Sequence, residues 1–331
     1  MGNPFSVWRI PRFLEASVSG SSLSEMDRFD VLGLGAVAID DLLYVASYPP
    51  ADAKASVLRR ERQCGGLTGT ALVTAARLGS RCAYAGVLGE DELSELVVAN
   101  FVREGVDVSH LLRREGARPI RSTIIIGVDE GTRNVFSDRQ GFVGPDPFGL
   151  EPELIRATRV LCVDHLGVAG AIRAARIARE AGIPVVADFE RVSSPDFPVL
   201  LDLADHLLIG LGFASRLSGR SDPREAARAL WHGGRSVVVV TCGAEGCWAV
   251  DGPDDGSLRH QPAFSVAAVD TTGCGDVFHG AYASSLARGA ALDDRLTFAS
   301  AAAALKAMRP GGQAGIPDLA TVSTFLNEHG R

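Results

Sequence analysis

The chain has 331 residues and a formal net charge of -7, with 46% hydrophobic and 22% charged residues. This composition is ordinary for a folded globular protein, and the length allows two domains or one large α/β unit with a sizeable core. The acidic balance excludes a chain-wide basic surface for nucleic acid, and no apolar run reaches the ~18 residues of a membrane span. We therefore expect partners that are neither nucleic acids nor membranes.

The six cysteines contain no CxxC pair, which argues against a zinc or redox motif. In a chain of this length they are typical of reduced thiols in a cytoplasmic protein. Residues 1–27 lack the roughly 7–15-residue apolar core of a secretion signal and are expected to form an N-terminal extension without an assignable role.

The first strong pattern is a nearly continuous apolar run at 30–39, which predicts a strand buried on both faces. Residues 42–64 are charged and interrupted by Pro49-Pro50, so they indicate an exposed β excursion. A helix is predicted over 70–79, after a pair of glycines. A strand at 82–89 and a helix at 92–105 follow.

Residues 121–138 are predicted to form a hairpin that turns at 129–131. After Pro145, strands and helices alternate regularly, ending in two Ala-rich helices at 276–289 and 293–308. Such alternation predicts a doubly wound α/β fold: a mainly parallel sheet with helices on both faces. The β excursions, within about 42–64 and 119–139, would form a small β lid.

The most informative segment is VDTTGCGDVFHGAY at 269–282, where an apolar stretch turns through glycines into a helix. We expect the N–H groups of Gly273, Cys274, Gly275 and Asp276 to face outward there, and a helix N-terminus binds anions. A carboxylate beside an anion site is suited to accept a proton from an attacking hydroxyl. The segment thus predicts alcohol phosphorylation, with a helix cap and a plain turn as the alternative.

DTTGCGDVFHGAY resembles the second signature of the ribokinase-like, or PfkB-type, carbohydrate kinases, with Cys274 replacing the common Ala. The resemblance covers about residues 30–326. Gly65-Gly66 followed by ALVTAARLG is similar to the first signature, and VTCGAEG at 240–246 is similar to the nucleotide-binding motif. Within the family, HQPAFSVAAVDTTGCGDVFHGAY and RPGGQAGIPD most resemble the sulfofructose kinase branch.

The resemblance implies a ribokinase-like kinase domain over 28–331 that phosphorylates a hydroxyl of a sugar or sugar-like substrate. It implies ATP and Mg²⁺ as cofactors, leaves a monovalent cation open, and implies a homodimer formed through the lid. Asp276 would be the general base, with Gly273, Cys274 and Gly275 as the anion hole. The implied substrate-binding residues are Asp40, Gly65, Gly66, Thr70 and Lys54, and the implied nucleotide-binding residues are Thr241, Gly243 and Gly246.

The chain also departs from the family pattern. The N-x-x-E motif that orders magnesium would fall at 210–213 and is absent. Lys54 matches a lid lysine of the sulfofructose branch and suits an anionic substrate. Leu166, however, stands where that branch has an arginine, which argues against sulfofructose phosphate.

Two other functions stay open: a non-catalytic sugar- or nucleotide-binding regulator, and a nicotinamide-dependent oxidoreductase using the glycines at 33–38. We expect His165 and His279 to be polar packing residues, and RRER at 59–62 to be a solvated lid face. Cys274, at a helix start, either has a lowered thiol pKa and is reactive, or points into an apolar pocket and is inert; the sequence leaves both open.

Overall fold

A computed structural model describes residues 28–329, so the N-terminal extension predicted over 1–27 lies outside the described residues. Fifteen strands lie in this part of the chain. They are β1 (Phe29–Leu34), β2 (Ala38–Val45), β3 (Arg59–Gly65), β4 (Cys82–Tyr84), β5 (Val87–Leu88), β6 (Val106–Asp107), β7 (Leu112–Arg113), β8 (Ile120–Gly127), β9 (Thr132–Asp138), β10 (Thr158–Asp164), β11 (Val185–Asp188), β12 (His206–Gly210), β13 (Val237–Thr241), β14 (Cys247–Val250) and β15 (Leu258–Gln261).

Ten helices accompany these strands in the described residues. They are α1 (Leu67–Arg77), α2 (Glu92–Arg103), α3 (Pro152–Arg156), α4 (Val168–Glu180), α5 (Phe197–Leu203), α6 (Leu211–Ser218), α7 (Pro223–Leu230), α8 (Cys274–Ala287), α9 (Leu292–Ala307) and α10 (Leu319–Glu328).

The main body is a nine-stranded sheet in the order β15-β14-β13-β12-β11-β10-β1-β4-β6. The seven strands from β13 to β6 are parallel, and β14 and β15 extend the sheet in antiparallel fashion. Helices cover both faces, which confirms the predicted doubly wound architecture. The strand order reverses between β1 and β10. Sheets of this kind bind ligands in the crevice outside the carboxyl ends of the strands at such a reversal.

The sequence of β13, VVVVT, shows why these strands are so apolar. Val237 and Val239 join one buried cluster with α1, α2, α8, α9 and α10, while Val238 and Val240 join a second cluster with α3 to α7. Side chains alternate across a strand, so a strand that is covered on both faces must be apolar at every position.

A separate four-stranded sheet has the order β3-β2-β8-β9 and forms the predicted lid. Strands β2 and β8 are parallel, and β3 and β9 flank them in antiparallel fashion. The β8–β9 hairpin turns at 129–131 as predicted, with Gly131 at a φ of 63°. A third small sheet pairs β5 with β7.

The structure corrects the strand predicted over 30–39, which is two strands in different sheets. β1 ends at Leu34 and β2 begins at Ala38. Between them the Ala36 N–H leaves the ladder and donates to Asp164 Oδ2 at 2.6 Å, and the Gly35 carbonyl accepts from the Tyr84 hydroxyl at 3.1 Å. These side-chain bonds replace strand pairing, so the chain turns from the core into the lid.

Other boundaries also differ from the prediction. The run at 82–89 divides into β4 and β5, and α5 separates the strands that we placed next to each other after residue 183. The six cysteines are free thiols, as expected. Among residues 28–329, no helix is both long and apolar enough to cross a membrane.

Candidate active site

A cavity of about 780 Å³ lies between the lid and the carboxyl ends of the central strands. The lid contributes its inner face, and the body contributes the starts of α1 and α8. The structure brings many of the predicted residues together here. Those that line the cavity are Asp40, Gly65, Gly66, Thr70, Gly273 and Asp276.

The start of α8 forms the floor of this cavity. Gly273 precedes the helix with a φ of 76°, a left-handed conformation that glycine adopts without strain. Its carbonyl accepts from Val277 N–H at 2.9 Å, so the helix begins immediately afterwards. The N–H groups of Gly275 and Asp276 fall in the first turn, where the helix offers no acceptor. This end of α8 can therefore bind an anion.

One predicted member of the anion hole, the Cys274 N–H, already has a hydrogen-bond acceptor within the chain. The Cys274 N–H donates to the Thr271 carbonyl at 3.2 Å, closing the turn before the helix. Burial raises the pKa of the Cys274 thiol, and the nearby ammonium of Lys306 offsets this rise only in part. Of the two expectations for Cys274, this supports the inert, buried side chain over the reactive thiolate.

Asp276 is the only carboxylate of the first turn of α8, and it lines the cavity. Burial raises the pKa of Asp276 well above its ordinary value, and the negative charge of Asp188 raises it further. A carboxylate with a raised pKa is a stronger base than a free one. The side chain is thus suited to take a proton from a hydroxyl held in the cavity.

Asp188, at the end of β11, belongs to the same electrostatic group. Its Oδ2 is buried without a hydrogen-bond donor, and it lies 3.4 Å from His279 Nδ1. The His279 ring nitrogens also lie 2.7 Å from the Gly275 carbonyl and 2.9 Å from the Leu208 carbonyl. His279 is 6% exposed and connects α8 to β11 and β12, as expected for a polar packing residue.

Asp40 lies on the lid strand β2, close to its start, rather than at the end of the first core strand where the sequence placed it. Burial raises its pKa, while a hydrogen bond with Ser122 on β8 opposes that rise. At Gly65 a Cβ atom would lie only 2.3 Å from Asp40 Oδ2. Glycine is therefore required at 65 for the carboxylate to occupy this position.

The start of α1 completes the wall on this side. Gly66 caps the helix with a φ of 87°. Thr70, one turn into α1, is 2% exposed, and its hydroxyl lies 3.4 Å from Gln313 Nε2. The glycine pair therefore lets α1 begin directly beneath the lid.

The predicted nucleotide residues lie apart from this cavity. Thr241 ends β13, and the short turn at 243–245 follows, closed by a bond from Cys242 N–H to the Gly246 carbonyl at 2.7 Å. Gly243 is exposed. This strand end pairs with Gly210 of β12.

The missing N-x-x-E motif leaves no acid at 210–213, but a neighbouring strand end supplies one. Glu190 follows β11, is exposed, and raises the pKa of both Asp188 and Asp276 by its negative charge. Glu190 lies outside the segment that carries this motif in the family, and only the folded chain brings it near Asp276.

The cations around the cavity also differ from the prediction. Lys54 is exposed in the segment between β2 and β3 and does not line the cavity. Arg59 and Arg133 do line it, and Arg133 donates to the Thr272 hydroxyl at 2.5 Å. Strand alternation within RRER could have identified Arg59, since alternate residues of a lid strand face the cavity.

Known proteins resemble this chain, two in sequence and one in fold. A ribokinase of Haemophilus influenzae is 26% identical over 80% of this chain and 87% of its own. A mouse ketohexokinase is 26% identical over 82% and 94%. The structure of a candidate ribokinase II from E. coli, solved with ATP and Mg²⁺, superposes with a TM-score of 0.76 at 19% identity and covers 91% of this chain and 100% of its own.

The family model described as "pfkB family carbohydrate kinase" matches residues 30–319. This range contains the lid, the cavity and all but the first residue of the nine-stranded sheet. The match confirms the ribokinase-like fold and the family resemblance, whereas the sulfofructose branch stays a prediction. The chain belongs to the pfkB family of carbohydrate kinases.

Proposed function

We propose that this ATP-dependent sugar kinase phosphorylates a substrate hydroxyl held between Asp40 and Asp276, with Asp276 as the general base. The observation that supports this most is that both carboxylates line one cavity, from opposite sides. Asp40 belongs to the lid and Asp276 to the body. A sugar that bonds to Asp40 is thus placed with another hydroxyl toward the base.

The proposed reaction is an in-line transfer of the terminal phosphoryl group of ATP. Asp276 accepts the proton of the attacking hydroxyl, and the first-turn N–H groups of α8 stabilise the charge on the transferred group. The nucleotide would lie at the end of β13, flanked by Thr241, Gly243 and Gly246. The lid covers the acceptor and excludes water, which limits hydrolysis of ATP.

Magnesium, when bound, would neutralise negative charge on the nucleotide phosphates. Mg²⁺ prefers oxygen ligands and keeps several waters, so one or two carboxylates are sufficient. Glu190 is the exposed carboxylate beside the reacting end of α8 and would contact the hydrated ion. We expect Glu190→Gln to raise the magnesium concentration that gives half-maximal activity, while the KM for the sugar stays close to wild type.

The comparisons do not select a substrate, because a ribokinase and a ketohexokinase are equally similar to the chain. The inner lid face offers polar groups near Asp40 and aliphatic side chains farther out, at Leu42, Ile124 and Ile126. A compact sugar or sugar derivative fits such a wall. A homodimer through the lid remains a prediction of the family resemblance, which leaves a monovalent cation open.

The decisive experiment is a sugar panel assayed with ATP and magnesium, comparing wild type with Asp276→Asn. Turnover of a sugar by the wild type but not by Asp276→Asn supports the proposal. A protein that binds sugars and ATP, with raised thermal stability but without turnover, would instead be a regulator. The oxidoreductase alternative loses its support because Gly33 is paired inside β1 with Cys162 and Tyr84.

A further inference from the structure

Lys306, in the last turn of α9, is the most completely buried cation among the described residues. No part of its side chain is exposed, although lysines are rarely buried without a partner. Its ammonium donates to the Asp270 carbonyl at 2.7 Å and lies 3.8 Å from Asp270 Oδ2. Burial lowers the pKa of Lys306, and the Asp270 carboxylate opposes that change.

Asp270 in turn holds three segments together. Its carboxylate accepts from Thr272 N–H and from Gly311 N–H, each at 2.8 Å. Its own N–H donates to the Ala307 carbonyl at 3.0 Å. The end of α9, the loop at 311 and the turn that leads into α8 therefore meet at this one residue. Lys306 provides the positive charge that balances it.

This cluster lies next to the chemistry. The turn that Asp270 closes continues within three residues to Gly273, where α8 begins. The charges of Cys274 and Asp276 also act on the Lys306 ammonium, so it is near the first turn of α8. A fixed cation beneath an anion-binding helix end stabilises negative charge that develops there. Without Lys306, the carbonyl and the partly buried carboxylate of Asp270 would need a cation from solution as a partner.

We propose that Lys306 is a positioning residue for phosphoryl transfer: it fixes the turn at 270–273 through Asp270 and makes a dissolved cation unnecessary at that turn. This inference rests on the proposed kinase function. It predicts that the wild-type enzyme needs no added potassium for this purpose. It also predicts that removal of the ammonium slows the chemical step more than it weakens binding of either substrate.

The test uses Lys306→Met, which keeps the volume, Lys306→Ala, which leaves a hole, and Lys306→Gln, which keeps a donor without charge. Arg235→Met is the matched control. Arg235 is also a buried cation that donates to main-chain carbonyls, at Ala204 (3.0 Å) and Leu201 (2.5 Å), but those lie at the end of α5, away from the cavity.

We expect Lys306→Met to lower kcat roughly 10- to 150-fold, the effect of losing a hydrogen bond to a charged group, with much smaller changes in both KM values. Methylammonium or potassium chloride should restore part of the activity of Lys306→Ala and none of that of Arg235→Met. Hydrogen exchange at the amides of Thr272 and Gly311 should accelerate in the Lys306 variants only.

Wild-type kcat in Lys306→Met or Lys306→Gln would overturn the proposal, as would unchanged exchange at both amides. Failure of all three variants to fold would also overturn it, by making Lys306 a scaffold residue. Absence of cation rescue would refute the part that concerns the dissolved cation. The exchange measurement needs no substrate, so it tests Lys306 even if the wild type phosphorylates no sugar and the kinase proposal itself fails.

Discussion

The two large sheets of this protein use their faces in opposite ways. Strands of the nine-stranded sheet bury both faces, and their chemistry lies only where they end, as at Asp188 of β11. Strands of the lid carry chemistry along their length, because alternate residues face the cavity. On β2, Asp40 faces the cavity, whereas Asp41 faces Arg62 and Arg121 on the other side. We therefore expect the body to provide the catalytic groups and the lid to provide substrate selection.

The largest expected effect belongs to the core side of this comparison. Asp276→Asn removes the proposed base while keeping the shape of the side chain, so kcat should fall about 10²–10⁴-fold. Single-turnover kinetics with a sugar from the panel would measure it, with thermal unfolding as a check of the fold. Asp318→Asn, at the distant N-cap of α10, is the control. Retention of more than a tenth of wild-type kcat would assign the proton to another group.

The second prediction tests the two faces of the lid directly. Asp40→Asn should lower kcat/KM for the sugar by roughly 10- to 150-fold, since a buried hydrogen bond to a charged group is weakened. Asp41→Asn should leave kcat/KM nearly unchanged, because exposed ion pairs such as those of Asp41 with Arg62 and Arg121 contribute little to stability. Equal losses in the two variants would show that the lid acts through its stability and not through its inner face.

The third prediction concerns pH. Asp276 works in its ionised form, and its pKa is raised, so activity should be lost as the pH falls through a value above the ordinary carboxyl range. Asp188→Asn removes a neighbouring negative charge and should move this acid limb of kcat/KM to lower pH. Asp205→Asn, before the start of β12, should not move it. An acid limb that stays in place after Asp188→Asn would contradict the proposed coupling.

The smallest effect should come from the outer part of the lid. Lys54→Ala should change the KM for an anionic substrate little, because Lys54 does not line the cavity. Arg133→Ala should raise that KM more, since Arg133 lines the cavity and bonds to Thr272. Steady-state kinetics of both variants with one anionic and one neutral sugar would compare them. A larger effect at Lys54 would restore the role that the sequence suggested.

Much of this fold could be predicted from the sequence, because short runs of β-branched apolar residues such as that of β13 are typical of strands covered on both faces. The signature at 269–282 likewise identified the start of α8. The break at 35–37 could not be found, since it depends on a bond from Ala36 to Asp164, which lies 128 residues away. The proposed roles of Glu190 and Lys306 could not be predicted for the same reason, since they depend on the proximity of distant segments.

The three residues between β1 and β2 connect the core sheet to the lid. β1 ends at Leu34, β2 begins at Ala38, and Asp40 is the third residue of this lid strand. A rotation of the lid about this connection would carry Asp40 with it, while Asp276 would stay with the body. We therefore expect the lid angle to set the distance between the group proposed to hold the sugar and the group proposed to deprotonate it. Closing the lid and aligning the reactants would then be one movement.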